Sequence, residues 1–150
     1  MLIVERGTPT HPQAAALLQQ SHALMQSLFN PEDNHYLSID ALCAPHIRFF
    51  MARRGDQVLG TGALAIMGDY GEVKSMFVAP AARGQGVAQA LLRQIEDEAR
   101  QNRLPLLRLE TGDKLAAAHR LYHGAGFQLC PPFGDYTANA SSVFMQKPLA

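Results

Sequence analysis

The sequence has no tryptophan, only two cysteines and no excess of charge of either sign. Its 13 Lys and Arg residues balance 13 Asp and Glu residues, which argues against a nucleic-acid partner because such binding needs surplus cations against the phosphates. No apolar run approaches the roughly 20 residues that cross a bilayer. Charge arrives early, at Glu5 and Arg6, unlike a signal peptide. We therefore expect a cytoplasmic protein without a membrane partner.

The cysteines and histidines also exclude some chemistry. Cys43 and Cys130 are far apart and form no CxxC pair, so we predict two reduced, small apolar side chains. His119 and His123 have i, i+4 spacing but lack the HExxH pattern of zinc proteases, which favours a partly exposed helix face. No metal site is predicted.

The sequence has the length of one domain and contains both predicted strands and predicted helices. The 150 residues are 47% hydrophobic, enough for a single core, and no linker or repeat divides them, so one domain over 1–150 is predicted. Strands are expected at 2–5, 47–52, 57–67, 71–78, 106–110, 127–129 and 143–147, and helices at 12–29, 37–42, 86–102 and 114–123. Hairpins come first and strand–helix units follow, which predicts an α/β sheet with helices packed against it.

Strand 71–78 reads as an alternating strand. Its pattern places Glu72, Lys74, Met76 and Val78 on one face, with the intervening residues on the other.

The most informative segment, 78–88, joins this strand to the helix over 86–102. At that helix start several N–H groups have no intrahelical partner and the helix dipole is positive. Gly84 and Gly86 let the backbone approach an anion, and Arg83 adds a charge. Together these features predict a pyrophosphate cradle.

A glycine-rich turn alone leaves a dinucleotide-binding module open. Gln89 stands where the GxGxxG fingerprint has its last glycine, and the repeated βαβ units of that fold are missing. The pair Gly60 and Gly62 lies inside a strand with no helix after it. We therefore disfavour a nucleotide-binding module but keep it as a competing hypothesis.

Residues 83–88, Arg-Gly-Gln-Gly-Val-Ala, resemble the R/Q-x-x-G-x-G/A signature of the GNAT acetyltransferase superfamily. The segment 109–112, Ala118, Leu121-Tyr122 and Gly126-Phe127 resemble a second family element. The tail 132–145 resembles a small, mostly uncharacterised bacterial branch. The resemblance implies a mixed, largely antiparallel sheet of six to seven strands with about four flanking helices.

The resemblance also implies a coenzyme site for acetyl-CoA. One strand would pair with the pantetheine arm and the following amides would hold the pyrophosphate. A backbone N–H of Phe77 or Val78 would stabilise the oxyanion. The residues assigned to the coenzyme in this way are Met76, Phe77, Val78, Arg83, Gly84, Gln85, Gly86, Val87 and Ala88.

Direct transfer needs a proton donor for the leaving thiolate and a base for the amine. By resemblance Tyr122 is the donor, whereas helical spacing alone makes it a core aromatic. Glu72 is the base or an acceptor-binding residue by resemblance, and otherwise a strand charge paired with Lys74. Glu110 is predicted to be a structural turn residue.

Four residues are expected near the acceptor: His22, His35, Asp135 and Tyr136. The predicted function is acetyl-CoA-dependent N-acetylation of a primary amine of a small molecule or peptide. The alternative is a non-catalytic acyl-CoA-binding sensor or regulatory module. Relatives that dimerise through sheet edges make a homodimer one expected state.

Overall fold

The computed structural model describes residues 1–149; Ala150, the end of the predicted domain, lies outside them. The strands are β1 (Leu2–Arg6), β2 (Ile47–Arg54), β3 (Gln57–Ile66), β4 (Gly71–Val78), β5 (Leu106–Gly112), β6 (Gln128–Leu129) and β7 (Ser142–Pro148). The helices are α1 (Pro12–Leu28), α2 (Ile39–Leu42), α3 (Val87–Gln101) and α4 (Ala116–Gly124). The predicted α/β class, with seven strands and four helices in this part of the chain, is confirmed.

All seven strands form one sheet in the order β1-β2-β3-β4-β5-β7-β6. Every neighbouring pair is antiparallel except β4 and β5, which run parallel. That parallel pairing covers only Gly71 opposite Leu107 and Glu72 opposite Arg108. Beyond Glu72 the two strands separate, and the gap between them organises the site.

Helices cover both faces of the sheet and bury two apolar clusters. On one face α3 buries Val87, Leu91, Ile95 and Ala99, each at most 1% exposed, which confirms the stripe read from the sequence. On the other face α1 buries Ala14, Leu17 and Leu18 against β2 and β3. Within residues 1–149 no helix combines the length and apolar character needed to cross a membrane.

The alternation predicted for β4 is wrong beyond Lys74 because the strand carries a β-bulge. Ser75 has φ 56°, and between the pairs Lys74–Ala63 and Phe77–Thr61 two residues of β4 lie opposite one residue of β3. The extra residue reverses the faces that follow. Phe77 therefore packs in the α1 cluster, whereas Met76 and Val78 pack in the α3 cluster. Met76 and Val78 thus do not share the face of Glu72 and Lys74, contrary to what the simple alternation predicts.

Candidate active site

The predicted anion cradle lies at the start of α3. Gly84 and Gly86 have φ 78° and 81°, a left-handed conformation that glycine adopts without strain. A Cβ added at either glycine would meet no atom within 4 Å, so the space beside the turn is open. Gly86 is the N-cap of α3 and offers no side-chain cap. The turn therefore has both the backbone shape and the room that a bound phosphate needs.

The cradle also has free donors and two cations. No acceptor within residues 1–149 receives the amides of Gly84 to Ala88, as expected for a helix start. Arg83 stacks over the Phe77 ring at 5.7 Å, and its Nε donates to the Val78 carbonyl oxygen at 3.4 Å. Arg54 of β2 donates from Nη1 to Gln85 Oε1 at 2.8 Å. Positive charge thus approaches the open turn from two directions.

Next to the cradle, β4 has an unpaired edge. The Ala79 N–H donates to the Leu59 carbonyl of β3, and successive N–H groups of a strand point to opposite edges. The N–H of Val78 therefore faces the gap toward β5. An extended ligand could add to this edge as a further strand does.

Where β4 and β5 separate, they enclose a narrow cavity of about 110 Å³, called here the cleft. Its walls include Ser75 and Met76 from β4, Glu110 from β5 and Tyr122 from α4. His35, in the segment after α1, closes it from the other side of the sheet. The bulge residue Ser75 lines this point, and its Oγ is buried without a hydrogen-bond partner in the described chain.

Tyr122 is a buried aromatic that also forms part of the cleft wall. It is 6% exposed and packs edge-to-face on Phe127 at 5.6 Å, as a core aromatic does. Burial, and secondly the nearby Glu110 charge, raise the pKa of the Tyr122 hydroxyl. The group therefore carries its proton at neutral pH.

Glu110, expected from the sequence to be a turn residue, is part of a strand and of a cavity wall in the structure. It lies within β5 and lines the cleft with Tyr122. Its Oε2 accepts a hydrogen bond from Ser142 Oγ at 2.7 Å. Burial raises the pKa of the Glu110 carboxyl, and the Ser142 hydrogen bond only partly opposes that rise. A carboxylate with a raised pKa is a stronger base than an exposed one.

Glu72 sits in a tight polar cluster outside the cleft. Its Oε2 accepts from the Tyr136 hydroxyl at 2.5 Å and from Lys74 Nζ at 3.2 Å. Lys74 Nζ also donates to Tyr136 Oη at 2.9 Å and to the His35 carbonyl at 3.2 Å. The pairing of Glu72 with Lys74 considered from the sequence is therefore present, and it leaves Lys74 with three partners for its three N–H bonds.

This cluster forms a wall of a second cavity of about 400 Å³, called here the side pocket. His35, Tyr36 and Lys74 line both cavities, so the cleft and the side pocket adjoin at these residues. Tyr70, Asp135 and Tyr136 belong to the side pocket alone. The buried Nε2 of His35, at the junction, has no hydrogen-bond partner in the described chain.

The structure brings most of the predicted acceptor residues together. His35, Asp135 and Tyr136 line the side pocket, as Glu72 does. His22 lines neither cavity. Its ring stacks on that of Tyr36, with the two ring centroids 4.1 Å apart. Its burial lowers the pKa of the His22 imidazole, which favours a neutral ring.

Sequence reasoning did not assign Arg54 or Ser75 to the site. Arg54 ends β2, about thirty residues before the cradle, and nothing in a hairpin sequence marks a cation for a distant turn. The bulge at Ser75 follows from pairing with β3, since serine is no strong signal for a positive φ. Both positions depend on contacts across the sheet.

Comparison with known proteins agrees with this geometry. A sequence profile of the Acetyltransferase (GNAT) family matches residues 15–127. The IAA acetyltransferase of Azospirillum brasilense is 43% identical over 148 residues, 97% of each chain. The uncharacterised N-acetyltransferase YsnE of Bacillus subtilis is 37% identical over 143 residues, 93% of this chain and 95% of its own.

One solved structure is similar in both sequence and fold. A Klebsiella pneumoniae protein assigned as an acyl-CoA N-acyltransferase is 31% identical with a TM-score of 0.84, over 100% of this chain and 99% of its own. The chain belongs to the GNAT family of acetyltransferases. It is a GNAT N-acetyltransferase, and the usual cofactor of that family is acetyl-CoA.

Proposed function

We propose that this protein transfers the acetyl group of acetyl-CoA directly to a primary amine of a small molecule or peptide. The observation that carries the proposal is the gap between β4 and β5, which connects the open turn at α3 with the cleft that holds Tyr122 and Glu110. A thioester threaded through this gap would have its phosphates at one end and its acetyl group at the other.

The residues fit an acyl-CoA. The free amides of 84–88, with Arg83 and Arg54, would bind the pyrophosphate. The unpaired edge of β4 from Met76 to Val78 would pair with the amide groups of the pantetheine arm. The Val78 N–H, which faces the gap, would donate to the thioester oxygen as negative charge develops there.

Two side chains of the cleft supply the proton transfers. The acceptor nitrogen forms a C–N bond to the carbonyl carbon, and the C–S bond breaks as the carbonyl re-forms. Glu110 takes a proton from the nitrogen and Tyr122 gives one to the departing sulfur, so the net change moves one proton from amine to thiol. Solvent then returns Tyr122 and Glu110 to their starting states.

Between the two roles considered for Glu72, the contacts favour acceptor binding over base catalysis. Its Oε2 already accepts two hydrogen bonds, and it lines the side pocket rather than the cleft. Glu110 lies beside Tyr122 in the cleft and has the raised pKa that suits a base.

The test is release of free thiol from acetyl-CoA with a panel of primary amines, with the acetylated product identified by mass spectrometry. Glu110→Gln should lower kcat by about 10²-fold or more at neutral pH, in the range of general base catalysis. Glu72→Gln should mainly raise KM for the acceptor. The reverse pattern would return the base role to Glu72. If none of the amines caused thiol release, a non-catalytic acyl-CoA-binding module would be the better description.

A further inference from the structure

The surroundings of the two adjoining cavities restrict which amine can enter. Four carboxylates face them: Asp33 and Glu110 in the cleft, Glu72 and Asp135 in the side pocket. Among the lining residues in the described chain, Lys74 is the only Lys or Arg. The field inside therefore favours a cation and opposes a second anionic group on the same ligand.

Lys74 is not available to an anionic ligand. Its three donors go to Glu72 Oε2, Tyr136 Oη and the His35 carbonyl, and its side chain is only 11% exposed. Arg108 lines neither cavity, and its guanidinium stacks on the rings of Tyr70 and Phe133, at 4.8 and 5.4 Å from their centroids. A carboxylate or phosphonate in the side pocket would meet carboxylates and no free cation.

The walls also indicate what the body of the acceptor is. Tyr36, Tyr70 and Tyr136 present aromatic surface to the side pocket, and Leu37, Ala65 and Met67 add apolar surface. Met67 is 41% exposed, an apolar side chain open to solvent at this mouth. The cleft, at about 110 Å³, has room for an amino group beside an acetyl group, whereas the side pocket, at about 400 Å³, has room for a ring.

We propose that the acceptor is a primary amine with a flat apolar body and no acidic group, its nitrogen in the cleft and its body in the side pocket. This inference rests on the proposed transfer function. The orphaned His35 Nε2, at the junction of the two cavities, is placed to hydrogen-bond the amine as it passes. Glu72 and Tyr136 act on selectivity by keeping Lys74 neutralised.

The experiment compares phenethylamine, phenylalanine and spermidine as acceptors. Phenethylamine and phenylalanine differ only by a carboxylate, and spermidine tests charge without a ring. We expect kcat/KM for phenethylamine to exceed that for phenylalanine by at least about tenfold, since an unpaired anion in an acidic pocket is unfavourable. We expect the same margin over spermidine, because a chain without a ring leaves the aromatic walls of the side pocket uncovered. Equal or better use of phenylalanine or spermidine overturns the inference.

Glu72→Gln tests the cause of the selectivity. Removing this carboxylate frees the charge of Lys74, so the preference for phenethylamine over phenylalanine should fall about tenfold. Glu98→Gln is the matched control, because Glu98 is also a partly buried partner of a cation, Arg48, at 3.6 Å, but lines neither cavity. An unchanged ratio in Glu72→Gln, or an equal fall in Glu98→Gln, overturns the role assigned to Lys74.

A binding measurement separates this inference from the transfer function. Calorimetry with unacetylated coenzyme A present gives the affinity for each of the three amines without turnover. If no amine releases thiol but phenethylamine binds at least tenfold tighter than phenylalanine, the transfer function fails, and the preference of the side pocket for an amine without an acidic group stands. If phenethylamine binds no better than phenylalanine, the acceptor class fails.

Discussion

The cradle and the side pocket are built in opposite ways. The cradle consists of backbone amides from five consecutive residues, 84–88, at the start of a helix that the sequence marks clearly. The side pocket consists of side chains from β3, β4, the segment after α1 and the loop before β7. One ligand, the coenzyme, would therefore be held by local backbone geometry, and the other by contacts between distant segments.

This difference explains what each half can tolerate. A backbone site changes little when side chains change, because its donors are amides and its shape is fixed by two glycines with positive φ. A side-chain site can be altered residue by residue while the fold stays the same. A constant coenzyme and a variable acceptor are the expected result within one family.

The largest effect should come from Tyr122, which lines the cleft between the cradle and the side pocket. Tyr122→Phe removes the proton donor but keeps the ring against Phe127, so kcat should fall by about 10²-fold or more while the Kd of acetyl-CoA stays nearly unchanged. Steady-state kinetics and calorimetry make the comparison. Wild-type turnover in a folded variant would reduce Tyr122 to a packing residue.

The next effect tests the cradle alone. Gly86→Asn keeps the left-handed conformation that Asn tolerates, yet places a side chain where the phosphate would lie. Calorimetry should show a Kd for acetyl-CoA raised about 10- to 100-fold, as charge-assisted hydrogen bonds are lost.

Gly68→Asn is the matched control for that variant. Gly68 has φ 83° and equally open surroundings, but it lies in the turn between β3 and β4. The Kd of the Gly68→Asn variant for acetyl-CoA should remain at the wild-type value. Equal weakening by both substitutions would attribute the loss to general strain rather than to a blocked cradle.

A smaller effect is expected from Arg54, the one tertiary contribution to the cradle. Arg54→Gln should weaken acetyl-CoA binding about two- to fivefold at low salt and less at high salt, because an exposed cation acts through a screened field. Arg53→Gln, which loses the contacts of Arg53 with Glu5 at 2.6 Å and with the Gly55 carbonyl at 3.0 Å, should bind normally. Salt-independent losses would contradict an electrostatic role.

The smallest effect concerns stability on the acceptor side. Because burial raises the folded-state pKa of Glu110, its ionisation opposes folding as pH rises from the unfolded pKa of about 4.3 through the folded value. Glu110→Gln resembles the protonated form, so its Tm should exceed that of the wild type at pH 7–8 and match it below about pH 4.

Thermal melts across that range, with exposed Glu32→Gln as the control, check the expected pH dependence of Tm. A Tm difference that is the same at every pH would mean that ionisation of Glu110 does not destabilise the folded state.

Several features of the fold were predictable because they depend on neighbours in the chain. The apolar stripe of α3, the glycine turn before it and Pro12 at the start of α1 all follow from local periodicity and helix-end chemistry. The order of hairpins followed by strand–helix units was enough to indicate the α/β class.

The faces of β4 beyond Lys74 were predicted incorrectly, since a bulge is decided by pairing and not by the strand's own sequence. Glu110 reads as a turn residue next to Thr111 and Gly112, but the separation of β5 from β4 places it in the cleft. The three partners of Lys74 come from residues 35, 72 and 136, and no spacing rule links those positions.

The sequence by itself therefore indicated the fold class, a glycine turn suited to an anion at the start of α3, and Tyr122 as a residue of interest. Only the tertiary structure decided which carboxylate lies beside Tyr122, which cation supports the cradle and whether Lys74 is free. The physical reason is range: helix periodicity, caps and glycine turns act over a few residues, whereas burial, ion pairing and pKa shifts depend on segments that meet only after the sheet has formed.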